Sequence, residues 1–133
     1  MRNGAINWKG NPTDLEGPEV KVGDDAPTTF TAATQTLSPV TGADMSGKTR
    51  IICTVPSLDT PVCDIEMKRF NQDAASLDNV DVWVVSADLP FAQKRWCGET
   101  GSDRIQTLSD WKDRSFGTAW GTWAPSIGLH ARA

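Results

Sequence analysis

The chain has 133 residues, 38% of them hydrophobic, and a formal net charge of −4 at pH 7. This length supports one domain with a modest core, and the acidic balance argues against non-specific nucleic-acid binding, which requires a basic surface. No apolar run approaches the roughly 18 residues of a membrane span, and no apolar signal segment is visible near the first residue. Because three cysteines are too few for a disulfide-stapled secreted scaffold, we expect a reducing, cytoplasmic setting.

The N-terminal part of the chain predicts short, weak strands. Residues 1–27 are rich in Gly, Pro, Asp and Glu, and alternation at 6–8 before a Gly-Asn-Pro turn predicts a short edge hairpin. Residues 28–36, dense in Thr and Ala, predict a weak strand. We expect one domain over 1–133, with residues 1–27 as an N-terminal hairpin or extension.

The middle of the chain alternates buried strands with a helix. Residues 49–55 and 80–87 are apolar and partly β-branched, which predicts strands buried on both faces. Between them, a helical pattern over 64–78 carries one apolar face. That face holds Cys63, Met67, Phe70, Ala74 and Leu77.

The remaining elements continue this alternation. Asp88 is expected to cap a second helix over 90–97 that stops at Gly98. Residues 104–108 predict a third strand, and 109–120 a short helix. Strands that alternate with helices predict an α/β layered domain with parallel neighbouring strands and helices on the sheet faces.

The turn between the first buried strand and its helix, residues 56–63 with the sequence PSLDTPVC, is the most informative segment. Thr60 suits the N-cap and Pro61 the first helical position, which places Cys63 third. There the unpaired backbone amides and the helix dipole favour a thiolate, and the pKa of a cysteine so placed can fall from about 8.5 to roughly 3.5–7.5. The pattern predicts a nucleophile; the alternative is a small buried hydrophobe.

Other chemistries are weaker interpretations of the same residues. His130 is the single histidine, and a Cys–His hydrolase would need it beside Cys63 as a base; we expect it to be solvent-exposed instead. The spacing from Cys63 to Arg69 matches a phosphatase loop, but two of the five intervening side chains are acidic, where a phosphate cradle needs backbone amides. The scattered cysteines and histidine predict no metal site, and Cys53 is expected in the core without a function.

Two cysteine segments resemble those of the peroxiredoxin family. Pro56, Thr60 and Cys63, in the pattern P-x-x-x-T-x-x-C, resemble its active-site motif. Residues 86–98, with the sequence SADLPFAQKRWCG, are similar to the resolving-cysteine segment of the bacterial thiol peroxidase subgroup, an atypical two-cysteine type. Residues 129–133 resemble the start of the strand that carries the family's active-site arginine.

The resemblance implies a thioredoxin-like fold and the reduction of hydrogen peroxide or alkyl hydroperoxides without a metal or an organic cofactor. It also implies thioredoxin as the reductant, and a homodimer. By position, it assigns the peroxidatic role to Cys63, the resolving role in an intramolecular disulfide to Cys97, support of the thiolate to Arg132, and contact with the substrate to Pro56, Thr60 and Val62.

The chain departs from the family near its end. Family members continue with further strand and helix that these 133 residues do not contain, so an inactive domain, or one that only senses or binds, is the alternative. Pro125 argues against a central strand at that point.

For Cys97 the alternative is a surface cysteine, and we expect Lys94 and Arg95 to lower its pKa slightly. Since a disulfide needs Cα atoms within about 7 Å, we expect local unwinding around Cys63, Cys97 or both during turnover.

Overall fold

The fold is built from nine strands and three α-helices within the part of the chain that the structure describes. The computed structural model describes residues 1–45, 47–74, 76, 78–102 and 104–133. A short 3₁₀ turn lies at Ala43–Met45. The strands and helices are β1 (Arg2–Trp8), β2 (Asn11–Leu15), β3 (Thr31–Ala33), β4 (Pro39–Thr41), β5 (Thr49–Thr54), α1 (Pro61–Ala74), β6 (Val80–Ser86), α2 (Pro90–Thr100), β7 (Gln106–Ser109), α3 (Ser115–Trp120), β8 (Trp123–Ala124) and β9 (Leu129–His130).

Five of the strands form the central sheet, in the order β4-β3-β7-β6-β5. Strands β5, β6 and β7 are parallel, with Ile51 opposite Val82 and Val84 opposite Thr107. Helix α1 connects β5 to β6, and α2 connects β6 to β7. This arrangement confirms the predicted α/β layering with parallel neighbours, because parallel strands need a crossover connection and a helix supplies it.

Strand β6, between β7 and the edge strand β5, is buried on both faces and divides the core into two clusters. Val82 and Val84 face the cluster that contains Cys63 and Met67, while Trp83 and Val85 face the cluster around Phe30, Leu108 and Phe116. Successive side chains of a strand point to opposite faces, so an uninterrupted apolar run is what a doubly covered strand requires. The prediction that residues 80–87 form a buried strand rested on the apolar run at 82–85.

Helix α1 presents the predicted apolar face to the sheet. Cys63 and Met67 are buried, and Phe70 and Ala74 pack against the same cluster. Leu77, the last predicted member of this face, lies outside the described residues. The helix ends at Ala74, earlier than the predicted residue 78.

Two further helix boundaries differ from the predictions. Helix α2 continues past Gly98 and ends at Thr100, because Gly101 adopts φ 66° and its N–H closes on the Cys97 carbonyl. Asp88 is not its cap: Leu89 occupies the N-cap position and makes no side-chain capping bond. Helix α3 begins only at Ser115, since residues 109–114 finish β7 and form the loop that carries Asp110.

The two ends of the chain meet beside β5. Strands β1 and β2 form an antiparallel hairpin, and Glu16 bridges to Trp123 at the start of β8. Strands β8 and β9 pair in turn, and Ala133 then exchanges backbone hydrogen bonds of 2.8 and 3.1 Å with Thr54. The end of β5 at Thr54 is thus paired with the segment that follows β9, while the single-domain assignment stays a prediction.

No helix within the described residues is long and apolar enough to cross a membrane.

Candidate active site

Cys63 lies where the turn sequence predicts, at the third position of α1. Pro61 is the first helical residue, and the carbonyl of Thr60 accepts the Asp64 amide at 2.9 Å, the first bond of the helix. The Thr60 hydroxyl donates to the carbonyl of Ser57 at 2.8 Å. The Cys63 side chain is buried, with 0% of its surface exposed, at the helix end that stabilises negative charge.

Asp88 organises the turn that precedes Cys63. Its carboxylate accepts hydrogen bonds from the Ser57 hydroxyl at 2.7 Å, the Leu58 amide at 2.8 Å and the Ser86 hydroxyl at 2.8 Å. The predicted helix cap therefore ties the cysteine turn to the end of β6 instead. The sequence did carry a signal for this contact. The carboxyl ends of parallel strands meet at one edge of the sheet, and Asp88 follows the carboxyl end of β6 closely.

Arg132 reaches the same helix from the far end of the chain. Its guanidinium forms an ion pair with Glu66, which lies one turn after Cys63 on α1. Burial lowers the pKa of Arg132, but hydrogen bonding and charge from Glu66 and from Cys63 outweigh burial, so the pKa is raised. The structure thus brings together Cys63 and Arg132, and it adds Glu66, which sequence reasoning passed over.

His130 contradicts the expectation of solvent exposure: its side chain is 0% exposed. Its Nδ1 lies 2.9 Å from the Thr122 hydroxyl, and its Nε2 lies 3.1 Å from the Asp110 carboxylate. The expectation failed because pairing of β9 with β8 draws the residue inward. Both ring nitrogens face these partners, which argues against a hydrolytic base beside Cys63.

The buried His130–Asp110 pair fixes the segment that delivers Arg132. Asp110 also accepts the backbone amides of Phe116 at 3.1 Å and Gly117 at 2.8 Å, so it holds the first turn of α3. A Cβ atom on Gly117 would lie 2.7 Å from the His130 ring, so glycine is required for this close approach.

Cys97 is partly buried on α2 and packs against the core cluster that contains Cys63. Burial raises the pKa of Cys97, and a hydrogen bond from Gln35 to its sulfur, at 3.4 Å, opposes part of that rise. The expectation that Lys94 and Arg95 lower this pKa was wrong, because removal of the thiol from water dominates. The Arg95 guanidinium instead lies 3.7 Å from the Asp59 carboxylate, on the surface.

One hydrogen bond links the immediate neighbours of the two cysteines. The indole N–H of Trp96 donates to the Asp64 carboxylate at 2.7 Å. Lys68 approaches the other carboxylate oxygen at 2.8 Å, and Lys68 and Trp96 together lower the pKa of Asp64. The helices α1 and α2 are therefore tied together beside both thiols.

A cavity of about 270 Å³ opens beside the Arg132 backbone and side chain. Pro56 and Ala131 line it together with Arg132, and the β1 residues 6–8 complete its wall. Of the other residues predicted to contact substrate, Thr60 is partly exposed and Val62 is 62% exposed. The structure thus joins Pro56 to Arg132 and turns Val62 towards solvent.

Cys53 lies in the core next to the cluster of Cys63 and Met67. Burial, followed by the negative charge of Glu66, raises its pKa to about 11. Among the described residues, no group of three or more His, Cys, Asp or Glu side chains is placed to hold a metal ion.

Comparison with known proteins assigns the chain to a family. The family model described as Redoxin matches residues 21–131. A thiol peroxidase of Halalkalibacterium halodurans is 54% identical over 129 residues, which cover 97% of this chain and 77% of that protein. A thiol peroxidase of Bacillus subtilis is 52% identical over 128 residues, which cover 96% of this chain and 76% of that protein.

A solved structure supports the same assignment. The crystal structure of a peroxiredoxin-like protein from Aquifex aeolicus superposes with a TM-score of 0.84 at 41% identity, and the match covers 99% of this chain and 77% of that one. The chain therefore belongs to the Redoxin family, in the bacterial thiol peroxidase subgroup of the peroxiredoxins, and is a peroxide-reducing enzyme of thioredoxin-like fold.

Proposed function

We propose that Cys63 is the thiol that this enzyme oxidises with peroxide and that Cys97 resolves the product as an intramolecular disulfide. The observation that carries the proposal is the meeting of Cys63, at the opening turn of α1, with the Arg132 guanidinium. A thiol buried at a helix start and a cation held beside it by an ion pair are what displacement at an O–O bond needs, because negative charge develops on the departing oxygen.

In the first step, the Cys63 sulfur attacks the terminal oxygen of the hydroperoxide and the O–O bond breaks. Cys63 becomes a sulfenic acid, and the other oxygen leaves as an alcohol or water after it takes up a proton. Arg132 and the amides at the start of α1 stabilise that leaving oxygen, and Glu66 holds the guanidinium in place. Because the Thr60 hydroxyl spends its proton on Ser57, its oxygen is free to accept the peroxide O–H.

In the second step, the Cys97 thiolate attacks the sulfenic sulfur, the S–O bond breaks, and hydroxide leaves as water. Both cysteines are unpaired in this structure and touch one core cluster from different helices. The Trp96–Asp64 bond holds those helices together, so we expect it to open when the disulfide forms. Pro56 shields the pocket, and Val62 contacts the substrate from the exposed side of α1.

The family implies a peroxide substrate and a thiol reductant; the finer assignments are ours. We assign the reductant as thioredoxin, whose dithiol returns both cysteines to the free state. Exposed apolar side chains at the starts of α1 and α2 suit a homodimer contact. They are Val62, Ile65, Leu89 and Phe91. Three unpaired cysteines fit a reducing cytoplasm.

Rapid-mixing measurement of peroxide consumption tests the two cysteine roles. We expect Cys63→Ser to lower the rate by roughly 10³-fold or more, because it removes the nucleophile. Cys97→Ser should consume one equivalent of peroxide and stop at the sulfenic acid, detectable by a dimedone adduct on Cys63. Cys53→Ala is the matched control and should keep both phases.

Equal rates for the parent chain and Cys63→Ser would refute the assignment. A single oxidation by the parent chain, with no recovery on addition of thioredoxin, would favour the sensing alternative.

A further inference from the structure

Cys97 opens onto a cleft of about 550 Å³ that the first reaction step does not use. Gln35, in the turn between β3 and β4, also lines this cleft. That turn is held by its own bonds, since the Thr34 and Leu37 backbone amides donate to the carbonyls of Ser38 and Thr34, each at 2.9 Å. Gln35 is thus presented to the cleft by a hydrogen-bonded turn.

The side-chain amide of Gln35 is fixed between two partners. Its Nε2 donates to the Thr107 hydroxyl at 2.9 Å and to the Cys97 sulfur at 3.4 Å. An amide nitrogen carries two hydrogens, so it can make both bonds at once. Thr107 is buried on β7, so the sheet itself aims the second N–H at Cys97.

We propose that Gln35 is a positioning residue for the resolving step: its amide N–H stabilises the Cys97 sulfur as it becomes an anion and attacks. This inference rests on the proposed roles of Cys63 and Cys97. Attack on the sulfenic acid requires the thiolate, and burial disfavours that charge. A hydrogen bond to an anion is roughly twice as strong as one between neutral groups, so the Gln35 contact strengthens when the proton leaves.

The step needs no further reactant. The Cys97 sulfur forms the S–S bond, the S–O bond of the Cys63 sulfenic acid breaks, and the hydroxide takes up a proton to leave as water. Cys97 is oxidised, the sulfenic sulfur is reduced, and Gln35 keeps its protons throughout.

The charged and titratable groups around Cys97 separate the Gln35 effect from others. Among the described residues that line the cleft, Lys94 on α2 is the charged one; the turn, β6 and β7 contribute neutral side chains. On the core side, the thiols of Cys53 and Cys63 belong to the cluster that Cys97 packs against. A test must therefore remove those two thiols and include a Lys94 variant.

The first experiment measures the rate at which iodoacetamide alkylates Cys97 as a function of pH, in a Cys53→Ala, Cys63→Ser chain. We expect Gln35→Leu to move the midpoint up by roughly 0.5–1 pH unit, so that about 3- to 10-fold less thiolate is present at neutral pH. Gln35→Glu should move it further, because it replaces a donor with a negative charge. Thr107→Val, which removes the orienting partner, should give a smaller shift in the same direction.

Gln106→Leu is the matched control, since Gln106 lines the same cleft and has no bond to Cys97. It should leave the midpoint in place, and Lys94→Met should act additively with Gln35→Leu. An unchanged midpoint in Gln35→Leu, or an equal shift in Gln106→Leu, would overturn the proposal.

The second experiment follows disulfide formation after peroxide is mixed with the chain that retains all its cysteines. Gln35→Leu should slow the disulfide phase at neutral pH, and the difference should close at high pH, where Cys97 is ionised in both proteins. A faster disulfide phase with an unchanged alkylation midpoint would show that Gln35 only restrains Cys97, and would refute the proposal. Absence of any peroxide reaction in the parent chain would instead refute the function of Cys63, while the alkylation result would still report on Gln35.

Discussion

The two cysteines to which we assign successive roles lie at opposite ends of their helices. Cys63 occupies the first turn of α1, faces the guanidinium of Arg132 and is fully buried. Cys97 occupies the last turn of α2, where its own carbonyl accepts the amides of Gly101 and Ser102. A helix dipole stabilises a negative charge at the first place and opposes it at the second.

Under these assignments, one fold orders two reactions of the same functional group by giving each thiol a different environment. The first thiol lies at a helix start beside the Arg132 guanidinium, whereas the second has one neutral amide donor, from Gln35, against the cost of burial. Under the proposed assignment, Cys63 is the thiol that reacts with peroxide, and Cys97 acts only once a sulfenic acid has formed. Three changes test how far this contrast extends.

The largest effect is expected from removing the cation at Cys63. Arg132→Met should lower the rate of peroxide reduction by roughly 10²–10³-fold, the usual loss when a donor to a developing oxyanion is deleted. Rapid-mixing kinetics under excess peroxide measure this rate. Arg69→Met is the control and should keep the parent rate, because Arg69 is an exposed arginine on α1, the helix that carries Cys63.

Arg132→Lys should recover part of the activity, because it keeps the charge without the forked donors. If Arg132→Met reacted at the parent rate, the contrast between the two cysteines would not depend on this cation.

Cys53 provides a second contrast, since it shares the core with Cys63 and its pKa responds to the negative charge of Glu66. Its pKa rises from 9.0 to about 11 on folding, so the folded state binds the proton more tightly than the unfolded chain. The associated stability is complete below pH 9 and is lost as pH rises towards 11. We expect ionisation of Cys53 to lower the free energy of unfolding by about 3 kcal/mol across that window.

Urea unfolding at several pH values, for the parent chain and Cys53→Ala, measures that loss. The chain has no tyrosine, so the difference between the two curves reports the thiol with little interference. Parallel pH profiles for the two proteins would contradict the expectation.

The smallest effect is expected from loosening the link between the cysteine helices. Trp96→Phe keeps the aromatic ring in the core and removes the bond to Asp64, so disulfide formation should become several-fold faster. Quenching with an alkylating reagent after peroxide addition counts the remaining free thiols. Lys68→Met is the control, because it keeps the Trp96–Asp64 bond; an unchanged rate in Trp96→Phe would show that this bond does not limit the motion.

Local patterns in the sequence predicted the elements whose causes are local. The apolar runs of β5 and β6 and the Thr60–Pro61 start of α1 each depend on neighbouring residues, and the structure has these elements in place. The predicted burial on both faces fails for most of β5, whose residues 49–52 are exposed or half-buried because the strand lies at the sheet edge. The position of Cys63 followed from this reasoning without any knowledge of the rest of the fold.

The features that escaped prediction are those whose causes lie far along the chain. His130 is buried where its ring nitrogens contact Asp110 and Thr122. Asp88 accepts a hydrogen bond from the amide of Leu58, which lies 30 residues earlier in the chain. Gln35 donates a hydrogen bond to Cys97, which lies 62 residues later in the chain, and no sequence periodicity predicts a contact at that separation. Helix α3 began late for the same reason, since Asp110 holds its first amides from outside the helix.

The two backbone hydrogen bonds between Ala133 and Thr54 hold the segment that carries Arg132 against the end of β5. Under the proposed role of Arg132, local opening at this edge would separate the guanidinium from the Cys63 sulfur while the core stays folded. Loss of peroxide reduction would then precede global unfolding when the protein is heated.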